Sequence, residues 1–262
     1  MQHKHGPSTA DFRVFTDGCD MIIARIYFQL LIKEMTMSEQ PLAHGHAGVG
    51  VKNQVLQKAY LLLAFSFIPC GIGAVVGAKF NPMAVLGGGW VGIIAFFAIF
   101  YGLIFAIEKN RHSPAGIVLL QVFTFGMGMM LGPILGMLLG SAAGTQIVVT
   151  AAVMTVAVFF AMTIAAHKVK ADTNALGRFL LIGAIVLMVG VVANLFFEIP
   201  ALSLAISALF VLFSSLMIMW QTKMVIEGGE TSYISAALTI FISIYNLFTS
   251  LLRLLMALTG ND

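Results

Sequence analysis

The chain has 262 residues, of which 60% are hydrophobic and 10% charged, and its 14 Lys and Arg against 11 Asp and Glu give a net charge of +3. Mean hydropathy is +0.99, whereas a soluble domain carries about 25% charged and roughly 45–50% apolar residues. That balance excludes an ordinary soluble enzyme and a disordered chain; two cysteines exclude a disulfide scaffold, and the small net charge does not point to nucleic acid.

The first 52 residues differ in composition from the rest and read as a flexible cytoplasmic tail, followed by a membrane domain over 53–262. Their one apolar run, Met21 to Ile32, is interrupted by Arg25 and Gln29 and has no small-residue cleavage site after it. Residues 1–36 are expected to be a mis-assigned start, with translation beginning at Met37. The pairs His3/His5 and His44/His46 have ligand-like spacing, but no further ligands surround them, and a polar tail is the simpler reading.

Seven apolar runs follow, at about 59–78, 84–107, 115–139, 146–166, 179–197, 201–225 and 233–258. Each meets the length of about 20 residues that a helix needs to cross the hydrocarbon core. Alternating strands of a β-barrel are not seen. The expectation is an all-α membrane protein, a bundle of seven transmembrane helices. With the N-terminus in the cytoplasm, Lys52, Lys58, Lys109, Arg111, Lys168, Lys170, Arg178 and Lys223 collect on that side and only Lys79 on the other. The positive-inside rule therefore puts the C-terminus in the periplasm.

The third span holds Gly128, Gly132, Gly136 and Gly140 at intervals of four, with Pro133 beside them. Such a face lets a neighbouring backbone come close, and tight packing is its first reading. A hinge is the second, because Pro133 removes a backbone donor in mid-helix. Gly73/Gly77 and Gly88/Gly92 repeat the theme in the first two spans. Trp90 and Trp220 fall near span ends, where indole rings favour the interface. Cys70 reads as a small buried residue.

The last span carries Thr239, Ser243, Asn246, Ser250 and Arg253 at steps of four, three, four and three, which places all five on one helical face. A polar face must look away from lipid, toward Asn194 of the fifth span and Gln221 of the sixth. Arg253 and Glu198 share a leaflet in this topology, so an ion pair is geometrically open to them; snorkelling of Arg253 is the alternative. Interhelical hydrogen bonding is the bland role of the stripe, and a path for an ion or proton the functional one. No Asp or Glu is placed in mid-membrane, which weakens the ion path. No catalytic, cofactor, metal or nucleotide motif is present, so neither enzyme activity nor a small-molecule substrate is expected.

The string GGETSYISAALTIFISIYNLFTSLLRLL over Gly228–Leu255 resembles the signature end of the transmembrane Bax inhibitor motif (Bax inhibitor-1/YccA) family, and most of all its bacterial YccA branch. LGPIL at Leu131–Leu135, the stretch Val192–Ser215 and ALGRFLLIG at Ala175–Gly183 agree with it. The resemblance runs from about Lys52 onward and implies a seven-helix bundle with the seventh helix near its centre, in the bacterial inner membrane. For the YccA branch it implies a substrate and modulator, by inhibition, of the ATP-dependent membrane protease FtsH, with the cytoplasmic tail as the handle the protease grips. Other branches are similar to pH-sensitive calcium leaks whose sensor is an aspartate pair. The matching positions here are Gln221, after Trp220, and Ser243, three residues before Asn246. Neither titrates in the physiological range, and two neutral side chains attract a divalent cation weakly. A leak channel is therefore the disfavoured alternative.

Overall fold

A computed structural model describes residues 49–80, 89–170, 172–197 and 199–260. The tail with its two histidine pairs and Cys19, the side chain of Trp90, and Glu198 with its expected pairing to Arg253 lie outside the described residues.

The described residues form seven α-helices and no strand: α1 Val49–Lys79, α2 Gly89–Lys109, α3 Pro114–Leu138, α4 Ala142–Lys168, α5 Thr173–Phe197, α6 Pro200–Glu227 and α7 Tyr233–Leu258. Over their described residues, α1 and α3 to α7 are long and apolar enough to cross a membrane. Their ends follow local chemistry. Pro114 and Pro200 occupy the first turns of α3 and α6, where a missing N–H costs nothing. Ser141 and Ser232 cap α4 and α7, each accepting from the backbone N–H three residues on. Gly228 stops α6 at a φ of 86°, a left-handed conformation that a side chain would resist.

Two seams organise the structure. The α1–α3 seam is a parallel one: ideal Cβ atoms built at Gly73 and Gly77 would lie 2.1 Å from the carbonyl oxygen of Phe125 and 2.0 Å from that of Met129. From the other side, a Cβ at Gly128 would lie 1.9 Å from the carbonyl oxygen of Cys70, and one at Gly132 2.3 Å from the Gly77 carbonyl carbon. Backbone thus touches backbone, which only glycine permits. Gln121 Nε2 also donates to Ser66 Oγ across this seam, at 3.2 Å.

The second seam joins α6 and α7, which run antiparallel. Around it α7 packs against α1, α4 and α6 and also meets α2 and α3. An aromatic series of Phe100, Phe123 and Phe241 ties α2, α3 and α7 together, with ring centroids 5.5 and 6.4 Å apart. Elsewhere apolar side chains face outward, including Val153 and Phe160 of α4 and Phe179 and Val186 of α5. An outer surface of this kind suits lipid and would be costly in water.

Two expectations change. Gly140 does not extend the glycine face of α3. The helix ends at Leu138 and the chain is already turning toward the Ser141 cap, so Gly140 is exposed and an added Cβ would meet only its own turn, at 3.4 Å. Trp220 does not sit at an interface. It is buried, and its Nε1–H donates to the Thr173 carbonyl at 3.0 Å, because a buried indole needs a partner for its N–H.

Candidate functional site

Thr239, Ser243, Asn246 and Ser250 are all buried, and Arg253 is half-buried one turn nearer the helix end. Asn194 near the end of α5 and Gln221 on α6 are buried as well. α7 faces α6 directly and is the most buried of the candidate spans, so Gln221 and the stripe lie in the most buried part of the described chain.

Depth along the α6–α7 hairpin places them more closely. Gln221 lies six residues before Glu227 and Thr239 six after Tyr233; at 1.5 Å per residue both sit about 9 Å in from the turn. Ser214 and Asn246 are each thirteen residues from the same ends, about 20 Å in. Both amide atoms of Gln221, both of Asn246, and the hydroxyls of Thr239, Ser214 and Ser235 are buried without a hydrogen-bond partner in the described structure. Ser243 Oγ donates to the Thr239 carbonyl of its own helix at 2.8 Å instead of reaching across. A buried polar group left unsatisfied costs roughly 1–3 kcal/mol.

Titratable groups lie at the end of this region, near the turn. Lys223 is buried, pairs with Glu227 Oε1 at 2.6 Å and donates to the Val169 carbonyl at 3.2 Å. Glu227 Oε2 in turn accepts from the Thr173 hydroxyl. With the Trp220 bond to Thr173, these contacts tie α6 to the α4–α5 connection. Tyr60 of α1 and Thr222 share a hydrogen bond of 3.2 Å beside them. Sequence reading counts Lys223 only among the charges of the cytoplasmic side; the i, i+4 spacing to Glu227 at the end of a helix is the signal that it folds back. No group of three or more potential metal ligands occurs among the described residues. What the site offers is neutral hydrogen-bonding capacity held out of reach of lipid.

Comparison with known proteins finds a family and several relatives. The family described as inhibitor of apoptosis-promoting Bax1 matches residues 52–260, which include every helix from α2 to α7 and nearly all of α1. An uncharacterised protein of Neisseria meningitidis serogroup A is 59% identical over 213 residues, covering 80% of this chain and 94% of its own length. The Escherichia coli K12 protein named modulator of FtsH protease YccA is 36% identical over 213 residues, covering 81% and 94%. An uncharacterised membrane protein of Vibrio cholerae is 32% identical, covering 80% and 92%.

Proposed function

Because this chain belongs to the family of the inhibitor of apoptosis-promoting Bax1, we propose that it is a multi-pass protein of the bacterial inner membrane that modulates an FtsH-type protease without catalysis of its own. The observation that carries this reading is its 36% identity, over 94% of the relative's length, to the E. coli protein named for that role.

Packing supports the membrane topology of this reading. α1 and α3 are parallel, so the chain between them has to return across the same thickness. At 21 residues α2 is about 31 Å long, enough for the hydrocarbon core. This supports a reading with seven crossings, and the distribution of Lys and Arg favours the N-terminus in the cytoplasm and the C-terminus in the periplasm.

A protease that pulls on the N-terminal tail meets α1 first. α1 is locked to α3 by backbone contacts that must separate all at once, since none can stretch around an intervening side chain. Slow extraction keeps the protease occupied, and other membrane substrates then last longer. The buried part of the stripe on α7 is neutral, and Gln221 and Ser243 supply no charge for a cation.

Affinity capture of the full chain from native membranes is expected to recover the FtsH-type protease. Purified protein in liposomes is expected to pass no pH-gated calcium flux. A strong flux that is lost on changing Gln221 or Ser243, without protease capture, would replace this reading by the leak.

A further inference from the structure

The connection between α4 and α5 carries charge that the protease reading does not use. Over residues 163–182 the chain has three cations besides His167, namely Lys168, Lys170 and Arg178, against one acid, Asp172, and all four are exposed. Asp172 Oδ1 accepts from the Asn174 backbone N–H at 3.0 Å, which commits it to the first turn of α5. His167 turns back, its Nδ1 donating to the Thr163 carbonyl at 2.8 Å. Among the described residues none of the three cations has an ion pair. The backbone of the connection is fastened to α6: the Val169 carbonyl accepts from Lys223 Nζ and the Thr173 carbonyl from Trp220 Nε1. The three exposed cations thus stand on a held backbone.

Lys168 and Arg178 each head a strip of exposed apolar side chains. On α4, Val153, Phe160, Ile164 and Lys168 follow at steps of seven, four and four. On α5, Arg178, Ile182, Ile185 and Val189 follow at steps of four, three and four. Those steps keep each set on one helical face. α4 and α5 both pack on α6 and have little contact with each other, so neither strip is used against the other helix. Arg178 stands five residues beyond Thr173, about 8 Å into α5. An arginine at that depth on a lipid-facing strip reaches outward along its aliphatic stem and presents its N–H donors at headgroup level.

We propose that the α4–α5 connection binds the headgroup of an anionic phospholipid. Arg178 takes the phosphate through its guanidinium fork, Lys168 and Lys170 supply further positive charge, and the acyl chains lie along the outward strips of α4 and α5. The ligand follows from charge and attachment. Three cations against one acid attract a headgroup of net negative charge, and a zwitterionic lipid has none to offer. Free phosphate has the charge but lacks the chains that the apolar strips below the cations can hold. Since α5 packs mainly on α6, a lipid that joins its start to the end of α4 gives it a second attachment.

Native mass spectrometry of the full chain in mild detergent tests this, with phosphatidylglycerol or phosphatidylethanolamine added at equal concentration. Phosphatidylglycerol is expected to stay bound about tenfold more than phosphatidylethanolamine, and excess inorganic phosphate is expected not to displace it. Arg178→Gln is expected to lower its retention about fivefold, and Lys168→Gln with Lys170→Gln further. Lys109→Gln removes an exposed cation at the end of α2 and is expected to leave retention unchanged. A detergent melt equal to that of the unaltered chain shows that each variant is folded; where Arg178→Gln fails to fold, the lipid comparison on the unaltered chain decides. Equal retention of the two lipids, displacement by inorganic phosphate, or equal losses in folded Arg178→Gln and Lys109→Gln would each overturn the site. The measurement uses the isolated chain, so its outcome is separate from protease capture.

Discussion

The α1–α3 and α6–α7 seams are both central to the structure and are built on opposite principles. In the first, glycines remove side chains so that carbonyl oxygens of one helix rest on the Cα atoms of the other. In the second, polar side chains fill the gap and several hydrogen-bonding atoms go unsatisfied. Van der Waals contact between backbones loses strength abruptly on separation and has one good geometry. A seam of neutral polar groups has several, because hydroxyls and amides can exchange partners or take up water. The chain therefore combines a rigid joint at its first described helix with an adaptable one around its most buried helix.

Substitution can break that contrast, and the largest effect is expected in the rigid seam. Gly128→Leu puts a side chain where even a Cβ lies 1.9 Å from the Cys70 oxygen. It is expected to cost about 3 kcal/mol or more in a detergent melt, or to prevent accumulation. Gly140→Ala, outside the helix and exposed, is expected to change nothing measurable. Lys223→Met removes an ion pair and a bond to the Val169 carbonyl. Its cost is expected near 1–2 kcal/mol by the same melt, moderated because the Glu227 side chain is 45% exposed and can rehydrate.

In the adaptable seam the sign reverses. Asn246→Leu replaces an amide that has no partner with an apolar group of similar size, and is expected to raise stability by about 1 kcal/mol. A loss of stability there would mean that the amide is already well satisfied. The smallest measurable effect is expected for Gln121→Leu, which removes the one polar bridge described across the glycine seam. A change of roughly 0.6 kcal/mol would be typical of such a bond in a membrane.

Hydropathy alone locates the helices well where apolar residues run to both ends. The expected 115–139 and 233–258 correspond to Pro114–Leu138 and Tyr233–Leu258. It is poorest for α1, which begins at Val49 and not near 59, since Lys52, Gln54, Gln57 and Lys58 continue the helix beyond the apolar run. The polar stripe of α7 is legible from its spacing because helical geometry fixes which residues share a face. What those residues meet is not. Gln221 and Thr239 come level through the hairpin, and Ser214 draws no notice in sequence until its depth matches that of Asn246. The ion pair of Arg111 with Glu230, at 3.7 Å, is hidden for a different reason. Its members sit in two charged breaks far apart in the chain, which hydropathy treats only as ends of spans.

The claim on which the functional reading rests is that this chain occupies an FtsH-type protease and so spares other substrates. A pulse-chase of a membrane protein normally degraded by that protease, with and without extra copies of the full chain, tests it most directly. The substrate is expected to live longer in proportion to the amount of chain present, and less so with a copy trimmed to Lys52, which lacks the tail. An unchanged substrate lifetime at high levels of properly inserted chain would contradict it.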